Sequence, residues 1–150
     1  MIADFFKRLT AAKDAPLDAG DARLALAALL VRVARANDDY TTSEIAKIDV
    51  ILVRHYPDLD ANAAAALRAE AEEIEDTAHD TIKFTRSIKD AVDLEDRMEV
   101  VEALWELVLA DGERDHEEEG ALRLIAPLLG INDRDSALAR QRVEAREGAK

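Results

Sequence analysis

The sequence predicts an all-α protein, a single-domain helical bundle of about seven helices built from two pseudo-symmetric helix-loop-helix halves. Three observations carry that prediction. Hydrophobic residues make up 49% of the 150-residue chain and aromatics only 4%, with 5 Gly and 3 Pro, so Ala, Leu, Ile and Val carry the apolar share with little to interrupt helices. Apolar residues recur at helical spacing over most of the length. One acidic junction also occurs twice: residues 36–44 (Ala-Asn-Asp-Asp-Tyr-Thr-Thr-Ser-Glu) lie over residues 110–118 (Ala-Asp-Gly-Glu-Arg-Asp-His-Glu-Glu). Each copy is entered by an almost wholly apolar run and left by an amphipathic one.

The elements follow in chain order. Ile2, Phe5, Phe6 and Leu9 recur at i, i+3, i+4 and i+7, which predicts a short amphipathic helix before a break at Lys13 to Gly20. A helix capping the bundle is the reading preferred over a membrane-touching foot or a partner-binding peg, because the chain's negative charge opposes lipid contact. Residues 21–36 carry Leu24, Leu26, Leu29, Leu30, Val31 and Val33 with only Arg23, Arg32 and Arg35 as strongly polar interruptions, the mark of a helix enclosed by protein. Residues 94–110 repeat that pattern with Met98, Val100, Val101, Leu104, Trp105, Leu107, Val108 and Leu109, and the two helices should cross at the centre. Trp105 reads as a core anchor.

After each junction comes an outer helix, residues 43–55 with Ile45, Ile48, Ile51 and Leu52 inward, and residues 116–129 with Leu122, Ile125, Leu128 and Leu129 inward. Gly130 should end the second at a left-handed cap, and Pro127 should bend it. Two connecting helices fit between the halves. Residues 60–76 are Ala-rich and then acidic (Glu70, Glu72, Glu73, Glu75, Asp76), a solvated face or a docking surface for a basic partner, and residues 80–91 carry Ile82, Phe84 and Ile88. The tail, residues 133–146, has Leu138 and Val143 as its only large apolar residues and reads as a weakly anchored last helix. The expected organisation is an N-terminal helix and linker over 1–20, a two-repeat domain over 21–131 and a C-terminal helix over 132–150.

The formal charge of −13 repels phosphate backbones, which argues against nucleic acid as a partner. The absence of cysteine removes disulfides, thiolate nucleophiles and soft sulfur sites. The first residues lack an apolar signal-peptide run and no stretch is long enough to span a bilayer, so a cytoplasmic location is expected. His55, His79 and His116 are isolated in sequence and none belongs to a zinc pattern. With no Gly-rich phosphate loop and no nucleophile elbow, the expectation is a non-enzymatic protein.

Chemistry concentrates at the junctions. Thr41 with Glu44, and Asp115 with Glu118, form capping-box patterns, and Gly112 and Asp38 occupy equivalent left-handed stops after the central helices. Capping does not account for Asp111, whose carboxylate faces the negative end of a helix dipole, or for Glu113 beside it. A hard divalent cation, calcium, magnesium or manganese, would relieve both through oxygen ligands. An EF-hand is rejected, because His116 stands where it needs Gly and Leu122 where it needs a bidentate Glu. The candidate metal residues are therefore Asp111, Glu113, Asp115 and Glu118 in the second junction, with Asp38 and Glu44 contributing from the first.

Phe84-Thr85-Arg86-Ser87-Ile88, Arg97, Val101-Glu102-Ala103-Leu104-Trp105-Glu106 and Ala110-Asp111-Gly112 followed by Glu118 together resemble the tellurite-resistance protein TerB family, over residues 21–131. The resemblance implies an all-helical bundle of two related halves, metal-linked residues at Asp111, Gly112 and Glu118 with Glu44 matching in the first half, and a role in resistance to tellurite and other stress. It also implies protein partners, namely other tellurite-resistance proteins or a membrane-associated complex. Asn37-Asp38 departs from the Asp-Gly usual in the family, which argues against a symmetric two-loop site. Two readings follow. The first is a metal-responsive module in which a cation fixes the angle between the helices of the second junction. The alternative is a structural scaffold or dimerising adaptor whose acids serve only capping and solubility, with Phe5-Phe6 the first place to look for a homodimer contact.

Overall fold

The helix surrounded by apolar residues in the sequence is the one every other part of the first half packs around. The computed structural model describes residues 19–77, 85, 89, 92–110 and 116–148. Among them run α1 (Ala19–Ala34), α2 (Thr42–His55), α3 (Ala61–Thr77), α4 (Leu94–Val108), α5 (His116–Leu128) and α6 (Asp133–Gly148), with no strand among the described residues. From Leu24 to Ala34 only Arg32 reaches solvent freely. α1 crosses α4 at the centre, as the two matching apolar runs require, and also touches α2, α3 and α5. The expected helix over residues 2–9 lies outside the described residues. Of that over 80–91, Thr85 and Lys89 are described, both helical and Thr85 fully buried. None of the described helices is long and apolar enough to cross a membrane.

Side-chain size accounts for the most extensive helix contact. α3 buries Ala64, Ala71 and Ile74 completely, and α1, the helix it packs on most extensively, buries Ala25, Ala27, Ala28 and Ala34. Small residues let the two backbones approach, and each buried methylene contributes about 0.8 kcal/mol. Asp60 caps α3, its Oδ1 accepting from the Ala63 N–H at 2.7 Å. The acidic end of α3, expected as a solvated face, is instead largely engaged within the fold. Arg35 Nη1 donates to Glu75 Oε2 and Asp76 Oδ1, each at 2.7 Å, and Arg68 Nε donates to Asp49 at 2.7 Å. Glu72 accepts from the Tyr40 hydroxyl at 2.7 Å and from Arg68 at 3.1 Å. Burial first, and then the Glu72 carboxylate, raise the Tyr40 pKa far above its ordinary value, so its proton stays in that bond.

α5 continues through Pro127 to Leu128 and stops where the sequence indicates. Gly130 takes φ 79°, and the Ile131 N–H returns to the Ala126 carbonyl at 2.9 Å while Ile131 itself is buried. That is the bond pattern and apolar contact of a left-handed helix stop.

The last helix departs from expectation. α6 packs extensively on α4, and Leu138, expected to anchor it, is 39% exposed. The anchors are Ser136, Ala139 and Val143, all buried, together with polar links. Trp105 Nε1 donates to Ser136 Oγ at 3.1 Å, and Arg146 reaches Glu102 at 3.1 Å and Glu106 at 3.0 Å. Glu106, on the central helix, is 2% exposed and is also faced from α2 by Arg54 at 3.2 Å and by His55 Nε2 at 3.5 Å. One buried carboxylate thus joins α2, α4 and α6. A count of large apolar residues missed this, because two small residues and ion pairs replace them.

Candidate functional site

The first junction is built by its own side chains. α1 tightens as it ends, with the Arg35 N–H bonded to Val31 and the Ala36 N–H to Val33, at 3.0 and 3.1 Å. Asp38 then adopts φ 61°, the left-handed conformation anticipated for it and strained for a residue with a Cβ. Asp38→Gly is expected to raise stability by about 0.5 kcal/mol, the relief of that strain less the entropy of a freer unfolded chain. Thermal unfolding checks it, and a lower midpoint would show that the Asp38 side chain stabilises the turn.

Thr41 caps α2 as the sequence indicates. The Glu44 N–H donates to Thr41 Oγ1 at 3.1 Å, and the Thr41 N–H donates to Glu44 Oε1 at 3.3 Å. Thr41→Ala should therefore cost about 1 kcal/mol, read as a lower urea midpoint at unchanged slope. The other oxygen, Glu44 Oε2, is buried and has no hydrogen-bond partner among the described residues.

The second junction meets the first through a residue that the sequence seemed to discount. Asn37 accepts from the Asp39 N–H at 2.9 Å through Oδ1, while its Nδ2 donates to Glu118 Oε2 at 3.2 Å. Glu118 is 6% exposed and sits in the first turn of α5, where the helix dipole favours negative charge, as it does for Glu117 and Glu119. Glu119 is also paired with Arg123 at 3.2 Å. The amide of Asn37, standing where the family usually carries Asp, is what lets it donate to a carboxylate across the repeat. An amide aligned with an acid in the other half was the available signal.

Glu44 and Glu118 line one cavity of about 250 Å3, with Lys47 and Ser43 on α2 and Leu107 and Ala110 at the end of α4. The structure thus brings together two of the sequence-derived candidates. Asp38 is exposed and does not line that cavity. Asp111, Glu113 and Asp115 lie outside the described residues, as does Gly112. Among the described residues, no group of three or more His, Asp or Glu side chains is placed to hold a metal ion. His116 is exposed at the start of α5.

Compared with protein families, the chain matches one described as Tellurite resistance protein TerB, over residues 23–141, well beyond half its length. Neither the curated proteins nor the solved structures offered a significant match.

Proposed function

Because the chain belongs to the tellurite resistance protein TerB family, we propose that it works as a non-enzymatic helical scaffold in tellurite and stress resistance. It presents a fixed bundle end to a protein partner, another tellurite-resistance protein or a membrane-associated complex. The carrying observation is the Asn37–Glu118 bond, which ties the two acidic junctions into one unit without a ligand. The Thr41–Glu44 capping box and the α3 ion pairs likewise give acids structural work within the fold.

A metal-responsive module is the second reading, and one observation favours it. The unpartnered, buried Glu44 Oε2 lines the same cavity as Glu118, and a hard cation accepts such carboxylate oxygens. Asp111, Glu113 and Asp115 would supply the remaining charge, and calcium, magnesium or manganese would suit the donor set. The cation would hold the ends of α4 and α5 at a set angle.

Calorimetry and thermal unfolding of chelator-treated protein with calcium, magnesium and manganese separate the readings. The scaffold predicts no binding heat and no rise in melting temperature at millimolar metal, in the native chain and in Asp111→Asn alike. A rise at 100 times Kd of about 2.7 kcal/mol in stability, abolished by Asp111→Asn, would replace the scaffold with the module.

A further inference from the structure

A second cavity, of about 260 Å3, lies toward the opposite ends of α2 and α4 and shares no lining residue with the first. It opens between the first half of α1, the end of α2 and the start of α4, with Leu26, Tyr56, Val92 and Val100 in its walls. Asp96 and Glu99 also line it, both are exposed, and neither forms an ion pair with another described residue. The basic residues among the described lining, Arg23 and His55, are already committed, His55 facing Glu106 at 3.5 Å. Arg23 is bonded to Asp58 at 2.7 Å and stacked over the Tyr56 ring at 4.7 Å. The cavity is therefore apolar inside and acidic at its edge.

The chain just ahead of α1 carries the complementary residues. Ile2, Phe5, Phe6 and Leu9 recur at helical spacing in the sequence, and Phe5 and Phe6 are two of the 3 phenylalanines in the protein. In a chain of net charge −13, the first thirteen residues hold Lys7, Arg8 and Lys13 against Asp4 alone. Reach is not limiting: α1 begins at Ala19, the cavity wall begins at Ala22, and residues 10–18 extend to roughly 30 Å.

We propose that residues 2–9 dock into this cavity in cis, with Phe5 and Phe6 against its apolar walls and Lys7 and Arg8 beside Asp96 and Glu99. So placed, the segment straps the first half of the repeat, through α1 and α2, to α4 of the second. The occupant is this chain's own segment because it joins the apolar face, the opposite charge and the tether in one peptide. An anionic membrane surface, the competing destination for an amphipathic basic helix, would be repelled by the acidic edge.

Trypsin cleavage after Lys7 and Arg8 in the full chain tests it. Asp96→Asn/Glu99→Gln changes only exposed side chains, so the bundle stays folded by circular dichroism. Cleavage there should speed up about two- to fivefold, the range that losing exposed ion pairs gives. Phe5→Ser/Phe6→Ser should shift the amide resonances of Leu26, Tyr56, Val92 and Val100 and leave α3 unmoved. Equal cleavage rates together with unmoved resonances would overturn the proposal. So would protection that grows with protein concentration, which assigns the segment to a second copy, or protection that appears only with anionic phosphatidylglycerol vesicles.

Discussion

Trp105→Ala is expected to lower stability by about 3–5 kcal/mol, a large part of the roughly 5–15 kcal/mol that holds a domain of this size. The indole is 1% exposed and is among the largest fully buried side chains. It sits on α4 where α5 and α6 converge. Its Nε1–H donates to Ser136 Oγ on α6, and the guanidinium groups of Arg123 on α5 and Arg140 on α6 lie 5.9 and 5.8 Å from the ring. Truncation removes the apolar area, leaves a cavity that rigid helices cannot fill, and strips a buried hydroxyl of its donor. Trp105→Phe separates these effects. It keeps most of the packing, so its loss of about 1–2 kcal/mol should reflect chiefly the Ser136 hydrogen bond. Urea unfolding of both variants checks the ordering, and a Trp105→Ala midpoint equal to wild type would show that α6 is not held through this ring.

Much of the architecture was readable because periodicity and punctuation agree. α1 and α4 announce themselves by their apolar runs, α5 ends just before the left-handed Gly130, Thr41-Glu44 takes the capping conformation its chemistry favours, and Asp38 takes a left-handed one that Asp tolerates better than most residues. Polar residues that work across the fold were harder to read. Glu106 looks like one of three solvated interruptions in α4, yet it is enclosed by groups from α2 and α6 that are distant in sequence. Asn37 reads in the sequence as a departure from the family's Asp-Gly, when its value lies in donating to Glu118 across the repeat. Leu138 seemed an anchor by size alone, but the face of α6 that meets α4 is set by Ser136 and Ala139, whose smallness allows the approach. Pattern reveals which residues leave water; which polar groups they meet there depends on the crossing of helices, and no local window contains it.

Arg54→Ala/Arg146→Ala is expected to destabilise the protein by about 3 kcal/mol at neutral pH, because it strips the buried Glu106 carboxylate of both guanidinium groups and leaves it facing His55. The side chain of Glu106 is 1% exposed, whereas those of Arg54 and Arg146 are 38% and 50% exposed, so the pair is asymmetric. Removing the acid instead, in Glu106→Gln, lets both guanidinium groups return to water and should cost only about 1–2 kcal/mol. The pH dependence follows from the same asymmetry. Burial pushes the Glu106 pKa up, but the His55 imidazole 3.5 Å away and the charges of Arg54 and Arg146 outweigh it, holding the group below its ordinary value of 4.5. A depressed folded value means that the unfolded chain takes up the proton first. The stabilisation is then fully present above about pH 4.5 and is lost as pH falls through the folded value. Wild type should therefore lose stability on acidification more steeply than Glu106→Gln. In the double arginine variant His55 is the neighbour left to oppose burial, so the Glu106 pKa moves up from its wild-type position and acidification costs that variant less stability than it costs wild type. Urea midpoints measured from pH 7 to pH 4 in the three variants decide the matter. Parallel curves would mean that Glu106 is solvated and that α2, α4 and α6 are joined by packing alone.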